Sequence, residues 1–370
     1  MRTPIFQFGT SRFLQAHADL FFSQSGGPAC KVSVIASSGS PIGKSRLSAL
    51  AGENGYPVII RGLESGQPVE RRITVTSVVR SYDAERDWLK LVDDFSVEAE
   101  FVISNTTERG FYVPEHCAPD LAEMLVQAPA WYPAKLLALL LAAYCSKRNG
   151  LVILPTELVG RNGDTLKAIV MSLAKAANGE RAFLDWLNRD CVFANSLVDR
   201  IVSEPIEPAG AVAEPYALWA IEKQKGLRLP CTHDAIRIVD DLQPFERLKI
   251  HILNLGHTVL AEQWIVEGSN PEITVRAMMN SERHVTMLKE LYANEVIPGF
   301  IGRNMGCDSV KYLDVTLERF ANPFLNHRIS DIATGHEEKV RRRIVGFLEW
   351  ASPSAKTPVL SAIAAKYIKD

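Results

Sequence analysis

The stretch PIFQFGTSRF (Pro4–Phe13) decides the fold class of this chain. Its first six residues read as a short apolar strand, and a turn at Gly9–Ser11 follows. From about Arg12 to Ser23 the pattern is helical. A strand that leads through a tight turn into a helix is the first half of a βαβ unit, so we expect a parallel sheet.

Further strand candidates alternate with helices along the first half of the chain. KVSVIAS (Lys31–Ser37), EFVISN (Glu100–Asn105) and LVILPTE (Leu151–Glu157) are apolar runs bounded by turn residues. Ala118–Val126 and Pro133–Lys147 have helical patterns. This alternation predicts an α/β domain with a mostly parallel sheet and helices on both of its faces.

The pattern changes after the predicted strand CVFANSLVDRIV (Cys191–Val202). The segment SEPIEPAGAVAEP that follows is rich in Pro, Gly and Ala, which indicates a linker or an irregular crossing. Beyond it helical patterns dominate, at Tyr216–Lys225, Pro244–Glu267, Glu282–Asn294, Val310–Phe320 and Glu337–Glu349. We therefore predict an α/β domain over residues 1–205 and a mostly α-helical domain over residues 206–370.

The composition argues against several function classes. The net charge of −2 provides no global field for nucleic acid or an anionic membrane. The basic run KVRRR (Lys339–Arg343) is expected on a solvated helix face. The most apolar run, Leu136–Tyr144, is far shorter than the roughly 20 residues that cross a bilayer. The N-terminus lacks a signal-peptide core, and the six cysteines form no CxxC pair, so we expect a cytoplasmic protein without nucleic-acid or membrane partners.

The turn after the first strand is a candidate dinucleotide site. Such a site needs glycine where backbone approaches a pyrophosphate, and Gly9 meets this need, whereas Ser11 and Leu14 replace the second and third glycines. The same fragment could equally be the βα turn of any α/β protein. The residues that would line the site are Phe8, Gly9, Ser11, Arg12 and Phe13.

The end of the second strand leaves NAD and NADP both open. A ribose 2′-hydroxyl is usually held by an acidic residue at this point, and none is present. Ser37 and Ser38 could bond either a hydroxyl or a 2′-phosphate. Lys44 and Arg46 could pair with a phosphate, although ordinary loop charge explains them as well.

A second candidate site lies in KIHILNLGH (Lys249–His257). On an α-helix, Asn254 and His257 project about 140° and 80° from Lys249, so the three share one face, whereas His251 falls outside it. A buried lysine can act as a general base, an asparagine can donate to an oxygen that gains charge, and a histidine can orient a hydroxyl. These groups suit alcohol–carbonyl interconversion, or else make structural bonds in a half-buried helix.

Other catalytic motifs do not occur in the chain. His251 and His257 lack HExxH spacing and no Cys/His cluster accompanies them, so no metal site is predicted. GxSxG and GxxxxGK[ST] are absent too.

Ordered sequence blocks resemble the mannitol dehydrogenase family of polyol-specific long-chain dehydrogenases and reductases. Its hexuronate branch, the tagaturonate and fructuronate (mannonate) reductases, is the most similar. The blocks are QFGTSRFLQAH, FVISNTTERG, ILPTELVGRNGDTL, ANSLVDRIV, AEPYALW, DDLQPFERLKIHILNLGHT with its K-x4-N-x2-H signature, and LERFANP.

The resemblance implies a Rossmann-like first domain and a largely helical second one. It implies metal-independent hydride transfer between NAD or NADP and a secondary alcohol of an open-chain sugar acid. Lys249 would be the general acid/base, Asn254 would polarise the carbonyl oxygen and His257 would orient the substrate. Three residues of the NTTERG loop would lie near the cofactor, namely Asn105, Thr106 and Glu108.

The chain departs from the family at some positions. Leu158 follows Glu157 where mannitol dehydrogenases proper carry an asparagine, which favours the hexuronate branch. The chain is also shorter than most members of that branch. Arg319 could bind a substrate carboxylate and Asp199 could orient the site, but packing and ion-pair roles are equally open.

Two alternative functions remain beside the sugar-acid oxidoreductase. One is a polyol or polyol-phosphate dehydrogenase of the same family, acting on mannitol or fructose. The other, from a different class, is a catalytically silent nicotinamide-binding sensor. We expect a monomer or a homodimer.

Overall fold

A computed structural model describes residues 2–37, 41–106, 108–115 and 118–368, except the side chains of residues 41, 42, 108 and 109. The chain forms two compact units. The first comprises Met1–Ile60 and Arg71–Leu242, and the second comprises Arg61–Glu70 and Gln243–Asp370.

The strands lie mostly in the first unit. They are β1 Ile5–Phe8, β2 Val32–Ala36, β3 Tyr56–Glu64, β4 Gln67–Val75, β5 Val78–Asp83, β6 Phe101–Ser104, β7 Val152–Pro155, β8 Val192–Phe193, β9 Ser196–Asp199, β10 Val202–Pro205, β11 Ala211–Ala213, β12 Leu218–Glu222 and β13 Ile236–Val239. The tip of the β3–β4 hairpin belongs to the second unit, where Arg61 lies over the ring of Phe324 at 5.1 Å from its centroid.

The main sheet has the order β5-β2-β1-β6-β7-β8, and its described pairings are parallel. Counted within this sheet alone, the order is 3-2-1-4-5-6, that of a dinucleotide-binding Rossmann sheet. Its central strands are buried along their whole length because helices cover both faces. The predicted fold class is therefore confirmed for this part of the chain.

The helices of the first unit are α1 Arg12–Gln15, α2 Ala18–Ser25, α3 Pro41–Leu50, α4 Trp88–Glu98, α5 Leu121–Val126, α6 Tyr132–Cys145, α7 Asn162–Ala176 and α8 Arg181–Arg189. The apolar run Leu136–Tyr144 lies in α6, and Leu136, Leu137, Leu139 and Leu140 have no exposed surface. No helix in the described part of the chain is long and apolar enough to cross a membrane.

Two smaller sheets change the interpretation of residues 191–242. They have the orders β10-β11-β3-β4 and β13-β12-β9. The prediction of a helix at Tyr216–Lys225 was wrong, because Leu218–Glu222 is a strand that pairs with β9 and β13. The predicted linker contains β11, whose three residues are buried beside β3. The first unit thus continues to Leu242, whereas the sequence predicted a boundary near residue 205.

The second unit is built from helices, as predicted. They are α9 Gln243–Leu248, α10 Leu255–Val266, α11 Val275–Met279, α12 Glu282–Leu291, α13 Ile297–Ile301, α14 Gly306–Phe320, α15 Ile329–Ala333, α16 His336–Val340, α17 Gly346–Trp350 and α18 Pro358–Ala365. Three π-helical segments join consecutive helices: the first at Lys249–Asn254, the second at Tyr292–Val296 and the third at Arg341–Val345. Fully buried apolar side chains form the core of the unit, among them Ile252, Tyr292, Phe300 and Phe347.

The C-terminal helix is attached by two buried carboxylates. Glu295 accepts hydrogen bonds from the amides of Val359 (2.8 Å) and Leu360 (2.9 Å), at the start of α18. Glu262 accepts from Lys366 and from the hydroxyl of Tyr367, each at 2.7 Å. The first carboxylate satisfies amides that have no partner within the helix.

Candidate active site

The turn after β1 lies at the point where the strand order of the main sheet reverses. Gly9 has a φ of 115°, and its amide donates to the carbonyl of Ile35 at 3.0 Å. A Cβ on Gly9 would lie 2.6 Å from the carbonyl oxygen of Asn105. Only glycine fits between these strand ends, and a turn without a side chain at this position is what the pyrophosphate of a dinucleotide needs.

Ser11 occupies the position where a dinucleotide fingerprint has its second glycine. Its hydroxyl accepts from the amide of Leu14 (3.2 Å) and donates to Oδ1 of Asn105 (3.0 Å). The side-chain amide of Asn105 in turn donates to the hydroxyl and carbonyl oxygens of Thr156. The ends of β1, β6 and β7 are thereby tied together by side chains.

Three other residues predicted for the cofactor site are engaged within the first unit. The ring of Phe8 is buried against Tyr132, and the ring of Phe13 stacks on His17. The guanidinium of Arg12 lies 2.6 Å from the carboxylate of Glu207 and donates to backbone carbonyls of the loop between β10 and β11. A direct role in cofactor binding stays a prediction for all three.

A buried carboxylate organises the loop after β6. Glu157 accepts hydrogen bonds from the hydroxyl of Ser104 and from the amide and hydroxyl of Thr106, each at 2.9 Å. Burial raises the pKa of Glu157 above its ordinary value. Glu108 begins a 3₁₀ turn, and its side chain lies outside the described residues. Leu158, the residue after Glu157, is 61% exposed.

The cations near the end of β2 face carboxylates. Lys44 lies 2.6 Å from Glu85 and 3.3 Å from Asp83, and Arg46 lies 3.9 Å from Glu207. Ser37 directly follows β2, and Ser38 lies outside the described residues. Lys44 and Arg46 thus each have a carboxylate as ion-pair partner.

The second candidate site begins with the first π segment. Lys249 is its first residue and Asn254 its last, and both are half-buried. In a π-helix the amide of residue i+5 donates to the carbonyl of residue i. Lys249 and Asn254 are five residues apart, so they lie about one turn apart on the same face. The sequence predicted one shared face from α-helical geometry, and the wider turn aligns these two residues more closely.

His251 lies away from that face, as predicted. Its Nδ1 donates to the carbonyl of Arg343 (3.1 Å), and its ring stacks on Trp350 at 5.5 Å. Burial lowers the pKa of His251 to about 4, so the ring is neutral near pH 7. This histidine has a packing role.

His257 is buried in the first turn of α10. Its ring centroid lies 4.3 Å from that of Phe320 and 5.5 Å from that of His327. Burial lowers the pKa of His327. Arg319, predicted to bind substrate, is buried beside Phe320 at the end of α14. Sequence reasoning missed His327, although it follows Arg319 by only eight residues.

Asp199, the other predicted substrate residue, is buried at the end of β9 and pairs with Leu218. The adjacent Arg200 donates to the carbonyls of Ala16 (2.6 Å) and Glu214 (3.1 Å) within the first unit.

The described residues contain no group of three or more His, Cys, Asp or Glu side chains that could hold a metal ion.

Known proteins resemble the chain over nearly its whole length. The mannitol dehydrogenase Rossmann domain matches residues 3–230, and the mannitol dehydrogenase C-terminal domain matches residues 241–367. The chain belongs to the mannitol dehydrogenase family.

Similar relatives in this family are named altronate oxidoreductase. That of Halalkalibacterium halodurans is 30% identical over 96% of this chain and 72% of its own length. That of Klebsiella pneumoniae subsp. pneumoniae is 31% identical over 84% of this chain and 69% of its own.

Two solved structures share the fold. A substrate-free D-sorbitol dehydrogenase has a TM-score of 0.79 at 20% identity, covering 94% of this chain and 76% of its own. A Pseudomonas fluorescens mannitol 2-dehydrogenase, in a ternary complex with NAD and D-mannitol, has a TM-score of 0.71 at 18% identity and covers 99% and 79%.

Family membership confirms several predictions made from the sequence. The chain is an oxidoreductase that acts on CH–OH groups and uses a nicotinamide cofactor. The positions of Gly9, Ser11 and Asn105 in a cofactor site stay a prediction.

Proposed function

We propose that the chain interconverts a secondary alcohol and a ketone on an open-chain sugar acid, of the altronate/tagaturonate or mannonate/fructuronate type. The observation that carries the proposal is the alignment of Lys249 with Asn254 on one face of the first π segment, one turn before His257. The names of the altronate oxidoreductases support the substrate class.

The residues of the first unit would hold the cofactor. The backbone at Gly9 and Ser11 would hold the pyrophosphate, and Asn105 and Thr106 would hold the nicotinamide half. When bound, the cofactor would supply the hydride in reduction and accept it in oxidation. The bonds that Ser11 and Thr106 already make would keep this edge of the sheet in one conformation.

The residues of the second unit would handle the proton. During oxidation the neutral amine of Lys249 would take the proton of the substrate hydroxyl, and during reduction its ammonium would return it. The carboxamide N–H of Asn254 would donate to the same oxygen as negative charge develops there. His257 would orient a neighbouring hydroxyl, and Arg319 would pair with the substrate carboxylate. No metal takes part in this scheme.

The pairing of Lys44 with Asp83 and Glu85 supports NAD over NADP. A 2′-phosphate near the end of β2 would add negative charge beside these carboxylates. NADH is therefore expected to give the larger kcat/KM with every active substrate.

The test is a substrate panel with both cofactors. Tagaturonate, fructuronate, fructose and fructose 6-phosphate are each offered with NADH and with NADPH, and oxidation of the cofactor is followed by absorbance. Activity limited to the two hexuronates is the expected result. Activity limited to fructose or its phosphate would instead favour a polyol or polyol-phosphate dehydrogenase. No oxidation with any compound would favour a nicotinamide-binding sensor.

The mechanism is tested with Lys249→Ala. We expect kcat to fall by about 100- to 10,000-fold at neutral pH while the Kd for NADH stays unchanged. Lys289→Ala, at an exposed position of α12, is the matched control and should behave as wild type. Near-normal turnover in Lys249→Ala would contradict the role given to this lysine.

A further inference from the structure

The three π segments of the second unit are joined to one another by side-chain hydrogen bonds. Tyr292, in the second segment, donates its hydroxyl to the carbonyl of Ile252 in the first, at 2.7 Å. His251, in the first, donates to the carbonyl of Arg343 in the third, at 3.1 Å. π segments within α-helices are rare and occur frequently at functional sites. Here all three meet at the segment that carries Lys249 and Asn254.

Arg343 makes the bond that reaches the end of the first π segment. Its Nη1 donates to the carbonyl of Asn254 (3.3 Å) and to the hydroxyl of Thr258 (3.0 Å). The hydroxyl of Thr258 in turn donates to the carbonyl of Asn254 at 2.9 Å. Two donors therefore converge on the backbone oxygen of Asn254.

Nothing in the sequence singled out Arg343. We expected the whole run Lys339–Arg343 on a solvated face, and Arg341 and Arg342 are indeed exposed. Arg343, by contrast, is half-buried, and burial lowers its pKa to about 10. A guanidinium withdrawn from water in this way needs hydrogen-bond acceptors, and the Asn254 carbonyl is one of them.

We propose that Arg343 is a positioning residue for the reaction, because it fixes the backbone at Asn254 and so the direction of the Asn254 carboxamide relative to Lys249. This inference rests on the proposed function of Lys249 and Asn254. A side-chain donor that bonds a carbonyl restricts the tilt of the peptide that carries it, and the Asn254 carbonyl belongs to the peptide that joins the first π segment to α10. Without the guanidinium, the carboxamide would leave the geometry needed to stabilise the substrate oxygen.

The first experiment compares Arg343→Met with Arg342→Met, its exposed neighbour. A misplacement of about 1 Å in an active site costs up to roughly 100-fold in rate. We therefore expect Arg343→Met to lower kcat by about 10- to 100-fold, with the KM for substrate and the Kd for NADH little changed. Arg342→Met should match wild type, and Arg343→Lys, which retains a donor, should recover part of kcat.

A purely structural role would give a different result. Arg343→Met would then melt at a lower temperature, yet each folded molecule, counted by its bound NADH, would turn over at the wild-type rate. A kcat within twofold of wild type, or an equal loss in Arg342→Met, would overturn the proposal.

A second pair of variants is available if Arg343→Met does not fold. Thr258→Val removes the hydroxyl that links Arg343 to Asn254, whereas Thr258→Ser keeps it. We expect several-fold lower kcat in the valine variant than in the serine variant, and equal kcat values would count against the proposal.

Lys249→Ala is assayed alongside these variants, so that failure of the proposed function can be told from failure of the positioning role. If it stays active, the proposed function fails. If it is inactive while the Arg343 and Thr258 variants are normal, only the positioning role fails.

Discussion

Gly256 lies where a second helix approaches the stretch Lys249–His257, and Gly256→Ala is the sharpest stability test that the structure offers. A Cβ at this position would lie 2.0 Å from the hydroxyl of Tyr292 and 3.0 Å from Cε2 of Phe320. Ordinary contacts begin at 3.4 Å, so the Tyr292 hydroxyl would have to move by more than 1 Å and lose its 2.7 Å bond to Ile252.

The magnitude follows from three contributions to the free energy of unfolding. Overpacking a core costs about 1–3 kcal/mol. The buried hydroxyl of Tyr292 without its acceptor costs about 1–3 kcal/mol more, whereas the Ile252 carbonyl keeps the Leu255 amide as a donor. Alanine in place of glycine inside a helix returns about 1 kcal/mol. We therefore expect Gly256→Ala to destabilise the second unit by about 1–5 kcal/mol.

The partner variant Tyr292→Phe makes the prediction specific. It removes the hydroxyl that the new Cβ would meet, so only the contact with Phe320 remains. In that background Gly256→Ala should cost about 0–2 kcal/mol, which means that the two substitutions are coupled by at least about 1 kcal/mol.

Urea unfolding of the four proteins, followed by circular dichroism, measures this coupling. Gly346→Ala is the matched control, because that helical glycine has only contacts of 3.8 Å and alanine should be tolerated there. The reasoning is refuted if Gly256→Ala costs the same in the tyrosine and phenylalanine backgrounds, or if it is as stable as Gly346→Ala.

Three further predictions concern buried carboxylates. Burial raises the pKa of Asp19 to about 7, so the folded state binds its proton more tightly than the unfolded state, and stability should fall as pH rises from about 4 to about 7; urea unfolding of Asp19→Asn should lack that fall. Glu295→Gln removes the charge that caps α18 and should cost about 1–3 kcal/mol in urea unfolding, whereas the exposed Glu290→Gln should cost under about 0.5 kcal/mol. Lys366→Met removes a charged donor that helps to hold the pKa of the buried Glu262 below its ordinary value; because the stability from such a pair is lost as pH falls, the substitution should lower the melting temperature more at pH 7 than in acid.

The main sheet could be predicted from the sequence because its strands are buried on both faces. Ile5–Phe8, Phe101–Ser104 and Val152–Pro155 are short, mostly apolar runs, and such runs carry a strong local signal. The strands of the two smaller sheets carry a weaker one. Ala211–Ala213 is short and lies in a Pro- and Gly-rich segment, so its pairing with β3, more than 140 residues earlier, decides its conformation. A strand whose conformation depends on such non-local pairing has no periodic hydrophobic pattern in its own sequence.

The residues of the candidate site could be proposed from the sequence, but the π-helical geometry of their segment could not. Polar residues in an apolar run pointed to Lys249, Asn254 and His257 without any coordinates. The π-helical turn could not be predicted, because hydrogen bonds between residues i and i+5 over one short segment leave the spacing of the apolar residues almost unchanged. Arg343 was out of reach as well, since three consecutive arginines look alike in sequence and only packing turns one of them inward.

The serine in the turn after β1 shows what a departure from the dinucleotide fingerprint can contribute to the fold. A glycine at position 11 would allow close approach but could bond nothing with a side chain. Ser11 instead caps α1 and donates to Asn105, so it joins the two strand ends that flank the switch point. Gly9 meets both needs for glycine at once, because its φ is 115° and a Cβ there would collide with the carbonyl oxygen of Asn105. Ser11 has a φ of −65°, which any residue adopts, so of these two turn positions the chain keeps glycine only where the backbone requires it.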